Sequence, residues 1–191
     1  MKKAKFPKVR IPILPIVIFL VSLVFIYGLI VFVKTTQENQ KNHQEFRGNI
    51  ENLYYYLKKE PSNFEMYAVL NKGDSVALSV WYNYLSTSDD TIKKYEKQLI
   101  NMKDGILPIT RIVKGKVVQV TYSTKKYPEF FLVEKMQQAL VLFQEIRNSN
   151  KNRIEVKKEF DEKKYKEKKT ELVEMLKKIT EEAKKVNLDL R

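Results

Sequence analysis

The sequence contains no cysteine, which excludes disulfide bonds, thiol nucleophiles and cysteine-ligated metal sites. It has five glycines in 191 residues, too few for a glycine-rich loop that cradles phosphate. The catalytic spacings G-x-S-x-G, G-x-x-x-x-G-K-[ST] and H-E-x-x-H do not occur. These absences predict a protein that is not an enzyme and has no catalytic residue, no bound metal and no cofactor.

Histidine is nearly absent too, and the acidic residues form no convincing catalytic pair. His43 is the only histidine, and its polar neighbourhood KTTQENQKNHQEF offers no second histidine or cysteine to share a metal. We therefore predict a solvated surface residue at His43. Asp89 and Asp90 are adjacent in sequence, as residues that cap a helix are, and this predicts capping rather than general acid–base catalysis.

A long apolar run follows the first ten residues. Residues 11–33 carry no charge, and a helix of that length spans about 34 Å, enough to cross a hydrocarbon core of about 30 Å. The run ends in the bulky residues Ile30, Val31, Phe32 and Val33, whereas a cleaved signal peptide ends in small ones. The run predicts a single-pass transmembrane helix that is retained as a signal anchor, with a cleaved signal peptide as the alternative.

The charges predict the orientation of this anchor. The formal net charge is +13, and five basic residues with no acid precede the apolar run, namely Lys2, Lys3, Lys5, Lys8 and Arg10. By the positive-inside rule, residues 1–10 are a short cytoplasmic tail and the C-terminal domain is extracytoplasmic, in a cell inner membrane or plasma membrane. Beyond the run, both signs of charge are interspersed, which argues against nucleic acid as a partner. The reverse orientation would instead place the basic C-terminal helix in the cytoplasm, against nucleic acid or anionic lipid.

Residues 36–60 predict a juxtamembrane helix of coiled-coil type that ends at Pro61. Its apolar residues are spaced 4, 3 and 4 apart, as in a helix that packs along one stripe. They are Phe46, Ile50, Leu53 and Leu57.

Residues 62–125 predict an α+β core with two β-hairpins. The stretch SVALSVWYNYLS alternates with a period of two and predicts a strand, paired with FEMYAVL through the turn NKGD. A helix from Val76 to Leu85 is the competing interpretation. A helix follows from Ser88 or Asp89 to a C-terminal cap at Gly105, and ILPITRIV and VVQVTYS then predict a second hairpin that turns at Lys114-Gly115-Lys116.

Two helices complete the prediction. Residues 127–150 predict an amphipathic helix buried on more than one side. Residues 152–191 predict a long charged helix, whose middle has little to bury, with an apolar seam that recurs every seven residues. The seam consists of Tyr165, Leu172, Ile179 and Val186.

The stretch SVALSVWYNYLSTSDDTIKKYEKQLINMKDGILPITRIVKGKVVQVTYS, with the anchor and the helix before it, has the rhythm of two α-β-β units. In this respect the chain resembles the PilO-like proteins of the inner-membrane assembly (alignment) subcomplex of type IV pili and type II secretion systems. The resemblance implies a ferredoxin-like fold, pairing with a sister subunit and no catalysis.

These features together predict a non-catalytic bitopic scaffold of an envelope-spanning assembly, for pilus assembly or secretion. Its partners would be the lipid bilayer and a protein partner or second copy, bound through the juxtamembrane and C-terminal helices. The alternative is a membrane-anchored extracytoplasmic module that binds or senses a ligand in a pocket lined by Trp81 and Tyr84.

Overall fold

The structure is a computed structural model that describes residues 13–70, 75–113, 115–155 and 161–190. Within them the fold is mostly helical, with one small antiparallel sheet. The elements are α1 (Ile13–Leu70), α2 (Ser75–Lys103), β1 (Ile106–Val113), β2 (Lys116–Ser123), a 3₁₀ turn (Pro128–Phe131), α3 (Leu132–Glu155) and α4 (Glu162–Lys185). The chain divides into two compact units, Met1–Asn42 (unit 1) and His43–Arg191 (unit 2).

Unit 1 contains the apolar part of α1. Every side chain from Val17 to Lys41 is exposed, as expected of a surface that lipid rather than protein would cover. The Ser22 hydroxyl donates to the Ile18 carbonyl at 2.9 Å, so this polar group is satisfied within the helix. By length and composition, α1 is the one helix among the described residues that could cross a membrane. Residues 1–12, including the predicted cytoplasmic tail, lie outside the described residues.

The prediction that Pro61 ends the first helix is wrong, because Pro61 lies inside α1. A proline there leaves the carbonyl of Leu57 without its helical donor, at a cost of about 3 kcal/mol. Contacts on both sides of the proline offset this cost. Tyr84 donates to Glu60, and Tyr165 donates to Glu65 at 2.6 Å, so α2 and α4 hold α1 on either side of the proline.

The predicted first hairpin is also wrong. Both of its strands lie in helices, FEMYAVL in α1 and SVALSVWYNYLS in α2, while its turn at 71–74 lies outside the described residues. The buried residues Trp81, Leu85, Ser88 and Ile92 follow one another at helical spacing, so the period of 3.6 prevails over the alternation. α2 therefore begins at Ser75 rather than at Ser88 or Asp89, and the described elements form one α-β-β unit instead of the two expected of a ferredoxin-like fold.

The second hairpin is confirmed. β1 and β2 pair antiparallel from Ile106↔Ser123 to Val113↔Lys116, and Gly115 takes a positive φ of 75° in the turn. Gly105 caps α2 as predicted: it has a φ of 82°, and its N–H donates to the Met102 carbonyl at 3.0 Å.

α3 and α4 form the rest of unit 2. Where residues 127–150 predict one helix, the chain has the 3₁₀ turn and then α3, which extends to Glu155. α4 is shorter than the predicted 152–191, and Asp161 caps it by accepting from the Lys164 N–H at 2.9 Å. One apolar core joins α1, α2, β1, β2, α3 and α4, and after α4 the chain adds Leu188 and Leu190 to it.

Candidate functional site

The eight residues predicted to bind a partner lie in the core of unit 2. Phe46, Ile50, Leu53 and Leu57 on α1 are at most 1% exposed, and their neighbours in the core come from this chain. In the C-terminal seam Tyr165, Leu172 and Ile179 are buried, and Val186 is partly buried against the same core. As placed, side chains of this kind offer almost no surface to another molecule.

Polar contacts show that the two predicted stripes face each other within one chain. Arg47 donates to the Asn187 carbonyl, and the Tyr54 and Thr180 hydroxyls lie 2.8 Å apart. Further along α1, the Lys169 ammonium lies 2.7 Å from a carboxylate oxygen of Glu65. Contacts in this order make α1 and α4 antiparallel neighbours. The periodicity therefore identified buried helix faces correctly, but the faces cover one another.

His43 belongs to a polar cluster around a buried carboxylate and is itself 31% exposed, so it is only partly the solvated surface residue that was predicted. Its Nε2 lies 2.7 Å from Oε2 of Glu129, a carboxylate that is 1% exposed. Arg47 Nε approaches the other oxygen at 3.4 Å, and the His43 ring stacks on Tyr127 at 4.6 Å and 5°. Glu129 follows Pro128 in the 3₁₀ turn, 86 residues from His43, and no local pattern indicates that the two meet.

Two tyrosines and the carboxylate of Glu45 lie beside the His43–Glu129 pair. Burial, with the nearby Glu45 carboxylate, raises the pKa of both Tyr122 and Tyr127 above the usual value. A cluster of this composition can hold a proton or an ion pair. Among the described residues, however, no three His, Cys, Asp or Glu side chains are grouped so as to hold a metal ion.

A second buried polar cluster joins α1, α2 and α3. Tyr84 donates to Glu60, and Arg147, at 5% exposure, donates to the Leu85 carbonyl at 3.2 Å and pairs with Asp89 at 2.7 Å. Asp89 therefore serves as an ion-pair partner within α2 rather than as the predicted helix cap. Burial is the main cause that raises the pKa of Tyr56 to about 12, and it raises that of Tyr84 further, together with the hydrogen bond to Glu60.

The predicted aromatic ligand pocket is not formed by Trp81 and Tyr84. Trp81 is 0% exposed, and its ring lies 6.2 Å from that of Tyr84, which is engaged with Glu60. Trp81 is buried, and the partly buried Tyr84 links α2 to α1 through its hydrogen bond to Glu60.

An open groove of about 470 Å³ lies between α1 and α4 on the surface of unit 2. Its floor is apolar and includes Leu57, Pro61, Leu172 and Leu176, with the exposed Val173 at its edge. Its charged lining residues are four lysines, Lys58, Lys169, Lys177 and Lys184, and one acid, Glu181. We call this surface the α1/α4 groove.

Comparison of the chain with protein-family models, with curated proteins and with solved structures finds no match. The functional argument therefore rests on the geometry of this chain.

Among the features described, the α1/α4 groove combines apolar surface, access from solvent and an excess of basic charge. A second groove of about 660 Å³ beside α3 and α4 carries both signs of charge, including Lys103, Glu134 and Lys168, together with the apolar Val141 and Leu142. The sequence patterns did not indicate the α1/α4 groove, because both flanking stripes were assigned to contacts with a protein partner or a second copy. The lysines at 169, 177 and 184 on one side of α4 were the available signal.

Proposed function

We propose that this protein is a non-catalytic bitopic membrane scaffold whose unit 2 binds a protein partner in the α1/α4 groove. The observation that carries the proposal is the exposed Val173 in a largely apolar groove lined by four lysines and one glutamate. An amphipathic helix with an acidic border fits this chemistry, because its apolar face would cover Val173 while its acids meet the exposed Lys177 and Lys184.

The anchor supports the membrane part of this proposal. Helix α1 is long and apolar enough to cross a bilayer, and its described side chains in that part are exposed. The five basic residues ahead of the run favour a cytoplasmic N-terminus, which would place unit 2 outside the cytoplasm.

The kind of assembly is proposed from the sequence. Membership of an envelope-spanning machine such as a type IV pilus or secretion subcomplex rests on the resemblance of the sequence to PilO-like proteins. The described elements provide one of the two α-β-β units on which that resemblance was based.

The α1/α4 groove also favours a second candidate, a membrane-anchored ligand-binding or sensing module. Its volume of about 470 Å³ lies within the range of small-molecule sites, and apolar lining with a few charges is usual there. This candidate replaces the pocket expected around Trp81 with a different surface.

Site-specific photocrosslinking in native membranes tests the scaffold proposal. A photoreactive residue at Val173, which is 45% exposed beside the groove, should give a protein adduct of one defined mass. The same residue at Ile100 on α2, which is 54% exposed, is the matched control and should give none. Lys177→Glu should reduce the Val173 adduct severalfold, because it reverses one charge at the groove.

Labelling of the same position tests orientation. Because the chain has no cysteine, Val173→Cys is a unique thiol, and an impermeant maleimide should label it in intact cells. Labelling only after lysis would overturn the orientation. Equal adducts at Val173 and Ile100, or none at either, would overturn the scaffold, and thermal stabilisation by a small ligand that Lys177→Glu removes would favour the second candidate instead.

A further inference from the structure

The β1–β2 hairpin departs from the rule that the outer face of a sheet is polar. Leu107 and Tyr122 pair across the strands and are buried on the inner face. The opposite face carries Thr110 paired with Gln119, as expected of a solvated surface. At the end of the same face, Ile112 pairs with Val117, and these side chains are 77% and 73% exposed.

All the charged residues in the segment around this apolar pair are basic. No acidic residue occurs in the sequence between Asp104 and Glu129, whereas Arg111, Lys114 and Lys116 lie next to Ile112 and Val117. Lys116 is exposed, and Lys114 lies outside the described residues. An apolar tip with basic neighbours is complementary to a bilayer with anionic headgroups, since the apolar side chains enter the interface while the cations meet the phosphates.

We infer that the tip of the β1–β2 hairpin, formed by Ile112 and Val117 with the exposed Lys116, docks on the surface of an anionic lipid bilayer. The inference rests on the membrane anchoring in the proposed function, but concerns a surface distinct from the α1/α4 groove. Docking would give unit 2 a second attachment to the bilayer and fix how it presents that groove.

The connection between the apolar run and unit 2 is short, so that a weak contact is enough to dock the hairpin on the bilayer. The apolar run ends at Val33 and unit 2 begins at His43, so nine residues separate them. Nine residues span at most about 30 Å when fully extended, which keeps the hairpin at a high effective concentration near an anchored bilayer.

A second copy of the chain is the competing occupant, because both edges of a two-stranded sheet can accept a further strand. Charge argues against it. Pairing two identical tips would bring the Lys116 side chains of both copies together, with no acid in the segment to neutralise them.

A fluorescent probe at the tip tests the inference in the full chain. Val117→Cys carries an environment-sensitive dye, and the protein is reconstituted into nanodiscs of phosphatidylcholine alone or mixed with phosphatidylglycerol. The dye should shift to the blue and be quenched by spin-labelled lipid in the anionic discs, and much less in the neutral ones. The same dye at Val173→Cys, an exposed valine on α4, is the matched control and should stay aqueous in both.

Charge variants sharpen the test. Adding Lys116→Gln to Val117→Cys should lower the docked-to-free ratio in anionic discs about fivefold, the usual effect of one basic residue at such a surface. Added salt should act in the same direction. Ile112→Cys provides a second labelling site and should reproduce the result if the Val117 variant folds poorly.

Three outcomes would overturn the inference. They are a probe that moves to the lipid in neither disc although the protein is incorporated, a shift that is independent of lipid charge, and a shift that depends on the number of copies per disc, which would indicate a second copy. Failure of the chain to incorporate into discs would instead contradict the membrane anchor in the proposed function.

Discussion

At the scale of single residues, two glycines of unit 2 need opposite backbone conformations. Gly105 has a φ of 82° at the end of α2, and a Cβ there would lie 2.6 Å from the Lys125 side chain. Gly48 lies within α1, and a Cβ there would meet nothing within 4 Å. One substitution, glycine to alanine, should therefore change stability in opposite directions at these positions.

Gly105→Ala should lower the free energy of unfolding by about 1–2 kcal/mol, because alanine is strained at positive φ. Gly48→Ala should raise it by about 0.5–1 kcal/mol, since alanine has the higher helix propensity. Denaturant unfolding of the full chain in one detergent measures both. A loss at Gly48 equal to that at Gly105 would contradict the assignment of the two conformations.

The polar clusters at this scale were beyond the reach of sequence patterns. His43 and Glu129 are 86 residues apart, and Glu60 and Arg147 belong to different helices. Local sequence reports the conformation of a segment and its apolar face. It does not report which distant side chain neutralises a buried charge, because that depends on how the helices pack.

At the scale of elements, α4 is held by the apolar face that sequence reasoning assigned to a partner. Ile179 is 0% exposed and Leu172 1% exposed, both in the core that includes Leu53 and Leu57 of α1. The seam should therefore act through the stability of the monomer, whatever else the protein binds.

Ile179→Ala should lower the free energy of unfolding by about 2–5 kcal/mol, through lost burial and the cavity left behind. Val173→Ala, on the exposed side of the same helix, should change it by less than about 0.5 kcal/mol. Thermal unfolding of the full chain at several protein concentrations checks this. If the midpoint rose with concentration and Ile179→Ala abolished that rise, the seam would join two copies instead.

The elements differ in how well their sequences predict them. β1 and β2 were predictable because Gly115 permits the tight turn and alternation continues on both sides. α2 was not, because Val80 and Tyr82 are exposed apolar residues that mimic an alternating strand. Pro61 gave the opposite error, because it predicted a helix end where the helix continues. The proline does destabilise the helix locally, but hydrogen bonds from Tyr84 to Glu60 and from Tyr165 to Glu65 stabilise it on both sides.

At the scale of the whole molecule, tyrosines in both buried clusters resist ionisation. Burial raises the pKa of Tyr56, Tyr84 and Tyr95 at the α1–α2 contact and of Tyr122 and Tyr127 beside His43. In an unfolded chain a phenol ionises near pH 10. The folded state therefore keeps protons that the unfolded state releases as the pH rises above that value.

This difference predicts alkaline unfolding with a defined sign. The stabilisation is complete below about pH 10 and is lost as the pH rises towards the folded pKa, which is about 12 for Tyr56. Tyr56→Phe should reduce the number of protons released on unfolding by about one, so that the unfolding free energy falls less steeply with pH. The lost contact with Ser88 lowers stability at every pH and does not change this slope. Tyr82→Phe, at a side chain that is 54% exposed, is the matched control and should leave the slope nearly unchanged. Unfolding free energies between pH 9 and 12, followed with phenolate absorbance, measure the slopes; equal slopes for the two variants would mean that Tyr56 ionises in the folded chain as it does in the unfolded one.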